Sequence, residues 1–427
     1  MRRDFLKLCG LAGLGVAVPL LRPSATRAAE KKDEPYGGPY YVVFNASGGW
    51  DTTYLMDPKG VHGINRLYEV GDILTKGAHK YAPIKKHAKG GMSNEDFYAE
   101  FGDELLTFNG LDYSVNNHSP GARYMATGKL DSLAYPTFAA LVAACRGPEC
   151  PLAFLTFGNY SATGNLVAMS RVPYLPSLRK IANADAIEGN ERSPYHDQFA
   201  LDRIEATLRE ERDAHAADPR LPRAERGENM LYAAQANSKA LQRVTQYIPA
   251  TIPKERLAQQ AEIALASFKA GVCVSANLTI GQFDSHANND TDQMKLIPEF
   301  LAGIAYLVRR AGELKIREQL VVIVQSEMGR TPNYNAGNGK DHWSIGSAMF
   351  FGRGIKGNRV IGATDAKQFA VPLDPTALTV SKEKGVRVRP EHCHEALREL
   401  AGIAAHPLSK KFPLGVPEKE SLRGLWG

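Results

Sequence analysis

Tyr40-Tyr41-Val42-Val43-Phe44-Asn45, followed at once by Ser47-Gly48-Gly49-Trp50-Asp51, reads as a buried strand that runs into a glycine turn and an acid. In open α/β sheets ligands bind just beyond the carboxyl ends of strands, so Asp51 is the first candidate site residue. Working outward, the same grammar recurs. A strand is expected at Leu105–Leu111, then a polar turn Asn116–Pro120 and a helix through about Gly128. A helix Thr137–Cys145 precedes a strand near Leu152–Phe157; farther on come a strand Val272–Ile280, a helix near Gln293–Ala311 and the apolar run Gln319–Gln325. This alternation predicts a single α/β domain on a doubly wound, mostly parallel sheet. Residues from about 185 to 262 are charged and Ala-rich, with Arg203–Arg212 and Glu228–Gln246 the clearest helical stretches. They read as a helical insertion or cap, because the sustained heptads of a coiled coil are absent.

The chain has 427 residues, 44% hydrophobic and 23% charged, which suits a globular protein and excludes a disordered or multi-spanning one. Its formal net charge is +6, but Arg2, Arg3, Lys7, Arg22 and Arg27 stand against only Asp4 in residues 1–28. The remainder is nearly neutral, so no nucleic-acid partner is expected.

Residues 1–28 read as a leader. Met1-Arg2-Arg3-Asp4-Phe5-Leu6-Lys7 is a twin-arginine signature ahead of an apolar run Leu8–Leu21, short for a membrane span and broken by glycines and Pro19. Thr26-Arg27-Ala28 places small residues at −3 and −1, so cleavage is expected after Ala28, leaving residues 29–427 as the mature domain without a stable membrane anchor. The implied partner is the twin-arginine translocation machinery, and the implied location is periplasmic or secreted. Because that route carries folded proteins, often with a cofactor aboard, a metal becomes more plausible. Cys145 and Cys150 flank Arg-Gly-Pro-Glu; in an oxidising compartment they either close a short disulfide or remain thiols. With no CxxC pair, CxxCH or GxGxxG after the first strand, neither a zinc ribbon nor a heme or flavin protein is supported.

Four segments gather acids, histidines and glycines in loops or beyond strands: Gly48–Asp51, Asn116–Gly121, Phe283-Asp284-Ser285-His286, and Ser326-Glu327-Met328-Gly329-Arg330-Thr331 continuing to Lys340-Asp341-His342-Trp343. Mixed nitrogen and oxygen donors from separate strand ends suit a divalent cation. Each piece alone reads as well as a cap or turn. His392 and His394 open an apolar-spaced helix and read as structural.

Taken together, and in this order, the segments resemble the family catalogued as domain of unknown function 1501, sulfatase-like proteins related to the alkaline phosphatase superfamily. The resemblance also runs through Tyr124-Met125-Ala126-Thr127-Gly128, Gly352-Arg353-Gly354-Ile355-Lys356-Gly357 and Val360–Asp365, from about residue 38 to 405. It implies an alkaline phosphatase/sulfatase-type sheet with metal ligands at its carboxyl edge: Asp51, Asp284, His286, Glu327 and His342. The metal is zinc, manganese, calcium or magnesium. It further implies a nucleophile near the start of the helix after Asn117. There Ser119 is a candidate nucleophile, with His118 as its base or as a ligand, or else Ser119 is an N-cap for a helix opening at Pro120. Arg330 is expected either to stabilise an oxyanion or to pair with a nearby acid. The sequence departs from the pattern at His118, where a formylglycine precursor would fall, and at Met328, where a histidine donor would. Formylglycine chemistry is therefore not expected, and one ion is expected rather than two, since a thioether binds hard cations poorly. Two functions stay open: a metal-dependent hydrolase of phosphate or sulfate esters, and a non-catalytic binding protein of the same fold for an envelope glycan or an export partner.

Overall fold

A computed structural model describes residues 35–86, 90–172, 185–187, 190–216 and 241–427. The leader and most of the stretch Glu228–Gln246 lie outside them. The sheet strands are β1 (Tyr40–Ala46), β2 (Leu106–Asp112), β3 (Phe154–Thr156), β4 (Met169–Ser170), β5 (Ser275–Ile280) and β6 (Leu320–Ser326). A short ribbon of β7 (Gly329–Arg330) and β8 (His342–Trp343) follows, then β9 (Ile345–Gly352) and β10 (Arg359–Ile361). The eight-stranded sheet runs β10-β2-β9-β6-β1-β5-β3-β4. All its pairings are parallel except those of β9, which lies antiparallel to both β6 and β2. The fold is thus α/β with a mostly parallel sheet, as expected.

All seven residues of β1 are buried, and successive side chains alternate between two cores. Val42 and Phe44 join one core, with residues of α1 (Asn94–Phe101), α5 (Arg256–Lys269) and α6 (Asn289–Glu313). Tyr41 and Val43 join the other, with α2 (His118–Thr127), α3 (Phe138–Arg146) and α7 (Pro390–Leu400). A further helix, α4 (Gln198–Ala216), contains the Arg203–Arg212 stretch. Helix α5 begins inside the span expected as an insertion, yet Leu257, Ala261, Ala264 and Leu265 are buried in the first core; it is a layer of the domain. Among the described residues no helix is long and apolar enough to cross a membrane.

Cys145 and Cys150 are free thiols, with Cys145 Sγ 3.3 Å from His406 Nδ1. His394 is buried; its Nε2 lies 2.8 Å from the Met125 carbonyl, and burial lowers its pKa to about 4, in keeping with a structural role.

Candidate metal centre

The centre forms where the loops after β1, β5 and β6 meet the start of α2. Two close approaches allow this. Gly48 has φ +116°, and a Cβ there would stand 2.6 Å from the Asp284 amide nitrogen, so only glycine lets the first loop reach the second. A Cβ on Gly121 would stand 2.4 Å from the Glu327 carbonyl oxygen, so glycine in the first turns of α2 lets it lie on the end of β6.

Asp284 is the hub. Its carboxylate has His118 Nε2 at 3.3 Å, His286 Nε2 at 3.1 Å and His342 Nε2 at 3.3 Å, and the two last nitrogens are only 2.9 Å apart. His118, Asp284 and His342 offer donor atoms that all lie within 4.8 Å of one another. Each imidazole is anchored through its other nitrogen. His118 Nδ1 meets Glu327 Oε1 at 2.6 Å, His286 Nδ1 meets Asp341 Oδ1 at 2.8 Å, and His342 Nδ1 meets the Asn116 carbonyl at 2.8 Å. All three partners are acceptors, so each Nδ1 must donate, and in the neutral ring Nε2 is left with its lone pair. Lone pairs of His118 and His342 with the Asp284 carboxylate lie close enough to share one ion, His286 Nε2 stands beside them, and each imidazole is oriented from behind by an acceptor, as metal-binding histidines are. The donor set fits a divalent ion.

Partial burial alone would raise the Asp284 pKa, but the hydrogen bond and charge of Arg330, helped by His342 and His118, outweigh it and hold the group at about 2. Asp341 is also held below the ordinary carboxylate range, chiefly by its hydrogen bond with His286. Asp284 therefore remains an anion across the ordinary pH range.

Several expected site residues take supporting positions instead. Asp51 is fully buried. Its Oδ1 accepts from the Thr53 amide and hydroxyl, while Oδ2 accepts from Asn289 Nδ2 and from Lys340 Nζ at 2.6 Å. These four donors engage both oxygens, and in this structure Asp51 is the buried ion-pair partner of Lys340. Glu327 faces His118 Nδ1 and accepts from Ser47 Oγ, so its carboxylate orients that imidazole. Arg330, expected to be free for an oxyanion, has a wholly buried side chain that donates to the carbonyls of Gly48, Gly49 and Lys340 and to Asp284 Oδ1 at 2.7 Å. Its alternative role as partner of an acid is the one the geometry shows.

The helix α2 begins two residues earlier than a Pro120 start implies. Asn117 is the N-cap residue, and His118 and Ser119 are the first two helical positions. Ser119 is exposed, and among the described residues nothing hydrogen-bonds its hydroxyl. Met328 is buried beneath Gly49, and Trp50 packs edge-on to Phe300 in the core rather than lining the site. The residue whose importance the sequence hid is Lys340. A lysine in a Gly/Asn-rich loop suggests exposure, yet its side chain is 0% exposed against Asp51.

The model of a family described as "Protein of unknown function (DUF1501)" matches residues 42–380. No curated protein matches the sequence. Similar solved structures include the lipoteichoic acid synthase LtaP from Listeria monocytogenes, 8% identical over 93% of this chain and 78% of that one, with a TM-score of 0.39. The PsFucS1 sulfatase from Pseudoalteromonas sp. is 9% identical over 91% and 73%, with a TM-score of 0.39. The alkaline phosphatase from the Antarctic bacterium TAB5 is 9% identical over 86% and 99%, with a TM-score of 0.36.

Proposed function

The chain belongs to the DUF1501 family, and from that premise we propose that it is an exported hydrolase of phosphate or sulfate esters that works with one divalent metal ion. The observation that carries this reading is the convergence of His118, His286 and His342 Nε2 on Asp284 with every Nδ1 already committed to an acceptor. Those four residues would hold the ion. Three imidazoles favour zinc or manganese over calcium or magnesium, which prefer all-oxygen shells. When bound, such an ion lowers the pKa of a coordinated hydroxyl or water and stabilises charge on the departing oxygen.

The chain's own residues supply the rest. Glu327 and Asp341 fix the imidazole tautomers, and Arg330 keeps Asp284 ionised and aimed. At the start of α2 the His118 and Ser119 amides are among those with no intrahelical acceptor, so an ester's anionic oxygens have donors facing them beside the cluster. Ser119, adjacent to His118 and unbonded, is the side-chain nucleophile available there.

Ser119→Ala should leave folding and metal content unchanged, because the hydroxyl holds nothing. We expect it to abolish turnover of 4-nitrophenyl phosphate or sulfate by zinc- or manganese-loaded protein. Retained turnover in Ser119→Ala combined with loss in His118→Ala would assign the attack to water instead.

One observation favours a second reading, a metal-holding binding protein without turnover. Arg330 is consumed by carbonyls and Asp284, so the guanidinium that touches the cluster is not free to meet a developing oxyanion. A fully loaded protein that cleaves neither ester would establish that reading over the hydrolase.

A further inference from the structure

Beside the histidine cluster lies a cleft of about 580 Å³, within the range of small-molecule sites. Asp341 belongs to both: it anchors His286 Nδ1 and lines the cleft. One wall is aromatic. Trp343 and Phe369 pack edge to face with centroids 5.2 Å apart, and Trp343 Nε1 donates to the Gln368 carbonyl, which ties the ring to the neighbouring loop. Phe369 is nonetheless 48% exposed, so beyond its contact with Trp343 much of the ring faces solvent. Across the cleft stands Tyr334, whose hydroxyl is committed to Asp290 Oδ1 and whose ring carries the Arg66 guanidinium at 3.8 Å. On the rim, Lys367 is exposed, its amide donating to Asp365 Oδ1 and its ammonium in no ion pair among the described residues, and Asn333 presents an exposed amide.

These features narrow the occupant. A purely apolar group would use the Trp343–Phe369 platform and leave Asn333 and Lys367 idle. A compact inorganic anion would use Lys367 and leave the platform idle. A sugar ring has C–H faces for aromatic stacking and hydroxyls for an amide, and an acidic sugar adds a carboxylate or sulfate for the ammonium. The cleft adjoins the centre through Asp341 rather than containing it, so a ligand that fills both must be longer than one ring.

We infer that the Trp343–Phe369 cleft is a subsite for an acidic saccharide chain, seating the ring next to the one whose ester group reaches the histidine cluster. The assignment of an ester to the cluster rests on the proposed hydrolase; the saccharide subsite does not need turnover to be detected. The test is calorimetric titration of the full protein, with and without zinc, with tetragalacturonate, maltotetraose and 4-nitrophenol. Tetragalacturonate should bind and maltotetraose bind more weakly. Phe369→Ala should weaken tetragalacturonate by roughly 3- to 10-fold, and Lys367→Ala should remove the preference for the acidic chain, with zinc content unchanged in both. Lys367 is exposed, so its variant folds even if Phe369→Ala does not. No saccharide binding, equal affinity in the variants, or binding of 4-nitrophenol alone would overturn the subsite. Saccharide binding without ester cleavage would overturn the hydrolase and leave the subsite standing.

Discussion

His342→Ala is expected to leave the protein unable to retain a stoichiometric divalent ion through dialysis, whereas the wild type keeps about one. The imidazole sits within 3.3 Å of Asp284 and 2.9 Å of His286 Nε2, with its Nδ1 held by the Asn116 carbonyl. Removing it takes away a donor and also a link between the β8 loop and the start of α2. Elemental analysis reads the first effect. A graded companion separates ligand from support: Glu327→Gln keeps the side-chain shape but replaces the carboxylate behind His118. It should weaken metal affinity by about 10- to 100-fold, the usual range for partners one step removed from a metal. Equal losses in both variants would place Glu327 on the ion itself, and no loss in either would remove the site.

Lys340→Met is expected to be the most destabilising single change near the centre, at about 3–5 kcal/mol by chemical denaturation. Both side chains of the Lys340–Asp51 pair are 0% exposed, so deleting the ammonium strands a carboxylate in the interior. Asp51 would keep its bonds from Thr53 and Asn289, which soften but do not replace the lost charge. Asp51→Asn in the same chain should recover part of the loss, because an amide carries no charge to strand. If the double variant is no more stable than Lys340→Met, the penalty comes from lost packing around the lysine stem rather than from the charge.

The strands that build the sheet were legible because β1 and β6 are uninterrupted β-branched and aromatic runs, and their structural limits differ from the expected ones by a residue or so. The strand β9 was not. Ile345-Gly346-Ser347-Ala348 carries small residues with no clear alternation, and nothing in periodicity announces that it enters the sheet antiparallel. The histidines of the centre were visible as loop residues near strand ends and at a helix start. What the sequence could not separate was a ligand from its support. Asp51, Asp284 and Glu327 look alike in one dimension. Their roles part only when Lys340 arrives 289 residues from Asp51, and His118 arrives 209 residues from Glu327. The two roles open for Arg330, oxyanion donor or partner of an acid, could not be told apart for the same reason: carbonyl acceptors 281 residues away have no sequence signature.

Two covalently attached cations, Arg330 and Lys340, already stitch together the loops that carry the centre: Arg330 joins Gly48, Gly49, Lys340 and Asp284, and Lys340 joins Asp51. The proposed ion site is therefore preorganised by the polypeptide, and binding free energy need not be spent on ordering the chain. A chelator should strip the ion while circular dichroism stays native, and readdition should restore it without a refolding step. Such a protein separates folding from metal acquisition. Its half-exposed Asp284 stays within reach of the surroundings, so a cation held there would exchange with the medium without the chain having to open.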